Sequence, residues 1–174
     1  MGMSSPEWSR YLHETVGLRR PPEEINAEVV RRMLGRYEQE LPVVPGAIEV
    51  VGRLAAGGLR LAVASSSNRA LIDGVLTRLG LADRFEVTVS SEEVARGKPS
   101  PDVYLETARR LGVAPAECAA VEDSASGIRA AHAAGMRVIA YPNRHYPPAD
   151  DAVALATSVV ERLDELEAAL TDLR

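Results

Sequence analysis

The sequence holds one cysteine, Cys118, in 174 residues, so no intramolecular disulfide staples the chain and the fold must come from burial. At the head of an apolar strand, that thiol reads as a packed core side chain rather than a nucleophile. Excess positive charge is also missing: 25 acidic against 20 basic residues leave a net charge of −5. A broad basic face for nucleic acid is thereby excluded. No apolar run is long enough to span a bilayer. The start, MGMSSPEWSRYLHE, has no basic stretch leading into an apolar one and is no secretion signal. These absences lead us to expect a cytoplasmic chain with no membrane or nucleic-acid partner. Internal repeats and low-complexity tracts are absent too. What is present is 46% hydrophobic and 26% charged residues, enough for one core, and the length suits one domain or one domain with a small appendage.

Residues 4–40 read as helical. Ser4 or Ser5 before Pro6 and Glu7 is a good helix start. Trp8, Tyr11, Leu12 and Val16 follow at helical spacing, and Gly17 ends the run. Pro21 and Pro22 open a second helix whose apolar face carries Ile25, Val29, Met33, Leu34 and Tyr37. Pro42 to Pro45 is an extended linker. Beyond it, helix and strand alternate. Helices are expected over 47–56, 70–79, 101–111, 128–134 and 163–173. Strands are expected over 59–64, 85–89, 119–121, 138–141 and 158–160. The alternation, without tight hairpins, predicts an α/β fold with a parallel sheet and helices on both faces.

Three strand ends carry chemistry-bearing residues, and in such sheets ligands bind beyond the carboxyl ends of strands. The first ends in Ser65, Ser66, Ser67 and Asn68, which can cradle a phosphate or simply cap a helix. After the second comes Gly97-Lys98-Pro99-Ser100-Pro101-Asp102. Lys98 there is either a fixed ammonium facing a phosphate or a surface lysine in a turn. The third ends in Glu122 and Asp123, followed by Ser124, Ser126 and Gly127. That acid pair suits a hard cation beside a phosphate, or an ordinary helix cap. His13, His132 and His145 form no readable acid–serine–histidine pattern. The loop Tyr141 to Pro148 follows a strand end and borders this region, with no chemistry readable from it.

Hydroxyls, lysine and acid pair, in that order and each at a strand end, resemble the haloacid dehalogenase-like hydrolase superfamily. AVASSSN is similar to its second motif, GKPSPDVY to its third and VEDSASGIRAAHAAGM to its fourth. The EDS form resembles the phosphatase and β-phosphoglucomutase-like branch with a helical cap. The resemblance implies a Rossmann-like core over residues 44–174 and part of a cap over residues 1–43. It also implies Mg²⁺-dependent phosphoryl transfer from a small phosphorylated metabolite through an aspartyl-phosphate. Carried over, Ser65 would bond the phosphoryl group and Lys98 would offset its charge. Asp123 would hold Mg²⁺, with Glu122 as a second ligand or acting through water. Ser66, Ser67 and Asn68 would face the substrate.

One motif of that family is not in the chain. Its first strand ends in Asp-x-Asp-Gly, which supplies the nucleophile and the acid–base. No such run occurs here; Asp150-Asp151 follows prolines and precedes no suitable helix. The family places that strand in the middle of the sheet, so two inner strands would lose backbone partners. We therefore expect an N-terminally truncated, inactive phosphatase. It would be monomeric at full length and, as a fragment, swapped or associated with a neighbour. A β-phosphoglucomutase-like mutase is the alternative within the class, disfavoured because Gly2 to Ser5 offers no arginine for a second phosphate. A non-catalytic domain that binds phosphate or Mg²⁺, or is completed by a partner, is the alternative outside it.

Overall fold

The computed structural model of the chain describes residues 3–171. Gly2 of the expected cap segment and the end of the last expected helix, Leu173, lie outside them. Helix α1 (Ser5–Glu14) opens where expected. The backbone N–H and the hydroxyl of Ser4 both donate to Glu7 Oε2 at 2.7 Å, with proline in the first turn. Helix α2 (Pro22–Gln39) buries Ile25. After an irregular stretch come α3 (Ala47–Ala56), β1 (Ala62–Ser65), α4 (Arg69–Arg78), β2 (Val87–Ser90) and α5 (Asp102–Leu111). Then follow β3 (Ala119–Glu122), α6 (Ala125–Ala133), β4 (Arg137–Ala140), α7 (Asp150–Val153), β5 (Ser158–Val159) and α8 (Leu166–Thr171). Gly112, at φ 68°, ends α5 in the left-handed conformation that suits glycine. Among these residues no helix is long and apolar enough to cross a membrane.

Two local expectations need correction. Asp150-Asp151 does open a helix, the short α7. Its Ala152 is fully buried and its Asp151 pairs with Arg129 of α6 at 2.7 Å. Tertiary contact, not local propensity, sustains these four residues. The last helix begins as a 3₁₀ turn, Leu163–Glu165, before α8.

The strands are all parallel, but they form two sheets rather than one. β1 pairs with β2 from Ala62↔Val87 to Ser65↔Ser90. β3 pairs with β4 from Ala119↔Arg137 to Glu122↔Ala140, and β4 pairs with β5. Among the described residues β1 and β3 are thus each paired along one edge only. A cleft of about 830 Å³ runs between them, lined by Ala62 and Ala64 of β1 and by Ala119 and Val121 of β3. Val50 and Leu54 of α3 and Tyr104 and Ala108 of α5 line it from the helical layers.

Side chains hold the two sheets together. Val89 of β2, Val103 and Ala108 of α5, Ala120 of β3, Ile128 and Ala131 of α6 and Val138 of β4 form one continuous buried cluster. A second cluster joins Val50 of α3, Ile139 of β4, Val160 and Leu166 of α8. Neighbours Val138 and Ile139 enter different clusters, as strand alternation requires, so helices cover β4 on both faces. The helical segment α1–α2 rests on this body. A Cβ at Gly74 of α4 would lie 3.0 Å from Leu34 Cδ2 of α2. One at Gly97 would lie 2.6 Å from Glu7 Oε2, so glycine lets the start of α1 meet the loop that carries Lys98.

Candidate functional site

β1 and β3 both point their carboxyl ends at one concavity of about 680 Å³. Ser65, Ser66, Ser67, Lys98, Glu122, Asp123 and Ser124 line it, together with Tyr141 and Asn143. Of the expected residues, all but Asn68 are therefore brought together.

Ser65 is the last residue of β1. Its Oγ accepts the backbone N–H of Ser67 at 3.1 Å, which leaves its own proton to donate into the concavity. The loop is fixed from behind by Ser90 Oγ, fully buried, which donates to Ser67 O at 2.7 Å. Asn68 points away from the site and is buried. Its Oδ1 accepts from Ser5 Oγ at 2.8 Å, and its Nδ2 donates to Glu92 Oε1 at 2.6 Å and Asn26 Oδ1 at 3.1 Å. Where the sequence placed a substrate contact, the structure has a pin that joins α1 and α2 to the start of α4.

Lys98 follows Gly97 and forms a cis peptide bond with Pro99. It is 9% exposed, a rare state for a lysine unless paired. Its Nζ donates to Ala64 O at 3.0 Å, Tyr104 Oη at 3.2 Å and Glu122 Oε1 at 2.5 Å. Tyr104 Oη also donates to Glu122 Oε1. Burial pushes the Tyr104 phenol well above its ordinary pKa, and the negative charge of Glu122 raises it further, so it remains a donor.

The adjacent acids behave oppositely. Glu122 is 8% exposed and turned toward Lys98, with Ser124 Oγ donating to its other oxygen at 3.2 Å. A Cβ at Gly127 would stand 1.8 Å from Glu122 Oε2, so only glycine lets the first turn of α6 lie against this carboxylate. Asp123 is exposed and faces the concavity, with Asn143 Nδ2 at 3.5 Å from its Oδ2. The helix cap falls to Ser124, whose Oγ accepts the N–H of Gly127 at 3.1 Å. Among the described residues no three potential metal ligands cluster. The residues present fit a hard cation through Asp123, the exposed one of the two carboxylates that line the concavity. That suits Mg²⁺, which keeps several waters and binds through one or two carboxylates plus substrate phosphate.

Two contributors escaped the sequence reading. Tyr104 sits on the buried face of α5, where periodicity reports only core. Asn143 lies in the loop after β4, whose backbone N–H reaches Asp123 O at 3.4 Å.

The haloacid dehalogenase-like hydrolase family model matches residues 1–135. The chain belongs to that family. Protein CbbY of Rhodobacter capsulatus is 40% identical over 135 residues, which are 76% of this chain and 57% of that protein. Hexitol phosphatase B of Escherichia coli K12 is 38% identical over 120 residues, 69% of this chain and 54% of that protein. The chain thus spans little more than half the length of these relatives. The crystal structure of CbbY from Rhodobacter sphaeroides in complex with phosphate superposes with a TM-score of 0.81 at 29% identity. It covers 94% of this chain and 75% of that one. The α/β fold with parallel strands and helices on both faces is therefore that of the haloacid dehalogenase-like hydrolases.

Proposed function

We propose that these residues form the phosphate-handling part of a phosphoric monoester hydrolase for small phosphorylated metabolites, sugar phosphates above all. The observation that carries this is the convergence of Ser65, Lys98 and Asp123 at two parallel strand ends. Phosphoryl transfer needs mainly positioning and charge neutralisation. In this reading the Ser65 hydroxyl and nearby backbone N–H groups orient the phosphoryl oxygens. Lys98 supplies a fixed positive charge at the inner wall. Asp123 holds Mg²⁺, which neutralises phosphate charge when bound. Hexitol phosphatase B, by its name a sugar-alcohol phosphatase, and CbbY in complex with phosphate support the substrate class.

We further propose that the attacking carboxylate is not among these 174 residues and that the chain alone turns nothing over. The chain lacks an Asp-x-Asp-Gly run, and the edges of β1 and β3 that face the cleft are unpaired beside the site. An extended segment running parallel in that cleft would pair both edges and deliver its carboxyl end to Ser65 and Lys98. The test is to read the coding DNA in frame upstream of Met1. We expect a short apolar stretch ending in Asp-x-Asp-Gly; a stop codon directly upstream, or unrelated sequence, overturns this part of the reading.

A further inference from the structure

Lys98 is the only lysine in the chain, against 19 arginines. An ammonium carries three donors, and Lys98 finds three acceptors, on β1, α5 and β3. The Tyr104 ring adds a cation–π contact, 4.7 Å from Nζ to the centroid. Lys98, Tyr104 and Glu122 form a closed triangle, because Tyr104 donates to the same carboxylate oxygen that Lys98 approaches. Resting on the phosphoryl-transfer reading above, we infer that Tyr104 is a positioning residue. Its hydroxyl holds Glu122 against Lys98, which anchors the ammonium at the inner wall of the site.

The geometry gives the hydroxyl a task beyond filling space. A lysine side chain is a point charge on a flexible stem and fixes no direction by itself. Without a second tether, Lys98 could swing away from Glu122, and its charge would no longer be fixed at the wall of the concavity. The first turn of α6 lies against the carboxylate at Gly127, and Ser124 Oγ donates to Oε2. Oε1 is left to Tyr104 and Lys98. Phenylalanine at position 104 keeps the ring, its packing and its cation–π face, and removes only the hydroxyl, which accepts from Lys98 and donates to Glu122.

The single lysine makes the test clean. In the 174-residue chain labelled with ¹⁵N-lysine, one ammonium resonance can arise, and it is visible only if its protons exchange slowly with water. We expect it to be visible in the wild type. In Tyr104→Phe we expect it to be lost, or its protons to exchange about tenfold faster, while the backbone amide spectrum keeps its native dispersion. An unchanged resonance and exchange rate in that variant overturns the inference. Should Tyr104→Phe not fold, Glu122→Gln tests the same chain of contacts with Tyr104 retained. A mobilised ammonium supports the inference, and an anchored one overturns it, because Tyr104 is argued to act through Glu122. Inorganic phosphate with Mg²⁺, added to the wild type, separates the two readings. Failure to move a visible ammonium resonance tells against the phosphate site and leaves Tyr104's hold on Lys98 standing.

Discussion

Strands β4 and β3 lie side by side, yet they are stabilised differently. β4 is paired along both edges, and Val138, Ile139 and Ala140 are fully buried. β3 is paired along one edge, and its Val121 is 43% exposed. Parallel strands are normally covered on both faces and paired throughout. The half around β4 meets that rule, whereas the half facing β1 is bridged by side chains: the apolar cluster at its floor and Lys98 at its carboxyl end. The candidate site sits at the bridged half. The molecule is most finished away from that site and least finished beside it.

The sharpest way to break that contrast is to remove the bridge. Lys98→Met strands Glu122 as a buried, uncompensated carboxylate and is expected to cost about 3–5 kcal/mol in urea unfolding at neutral pH. Adding Glu122→Gln should recover at least about 1 kcal/mol, and strict additivity of the two changes would refute the pairing. On the closed side, Ile139→Ala should cost about 3 kcal/mol, within the range for a fully buried isoleucine. Gly127→Ala, which drives a Cβ into Glu122, should cost about 2 kcal/mol and also release the Lys98 ammonium.

A smaller effect comes from pH. Glu93 is held at a pKa of about 2. Burial raises it, but hydrogen bonds from Arg69, the Ser90 N–H and Arg110 more than offset that. A depressed carboxyl contributes stability above its unfolded value, near 4.5, and loses it as pH falls toward about 2. Because the network is partly solvated, we expect a loss of about 1 kcal/mol across that window, absent in Glu93→Gln. Smallest of all, Val121→Ala should change stability by less than about 0.5 kcal/mol, because Val121 sits half-exposed on the edge strand β3. A cost as large as that of Ile139→Ala would show that the cleft beside β3 is closed in solution.

Much of this was legible in the sequence because it is local. The helix start at Ser4 or Ser5, the helix over Ala47–Ala56 and the three strand-end motifs each sit within a few consecutive residues. The parallel α/β class followed from their alternation. Long-range placement was not legible. Asn68 looked like its serine neighbours, and only its contacts with Ser5, Asn26 and Glu92 turn it from ligand contact to pin. Glu122 and Asp123 looked like a pair; Glu122, the last residue of β3, is buried against Lys98, while Asp123, just beyond the strand, is exposed. Tyr104 carries no polar signature among the apolar positions of α5, and α7 exists because Ala152 is buried from a distance.

The most direct measurement is ³¹P NMR of a hexitol phosphate mixed with Mg²⁺ and the purified 174-residue chain. The account predicts that the substrate resonance broadens on binding while no inorganic phosphate accumulates. Inorganic phosphate released at ordinary enzymatic rates, about 1–10³ per second, would contradict it, because the attacking carboxylate would then have to lie within these 174 residues.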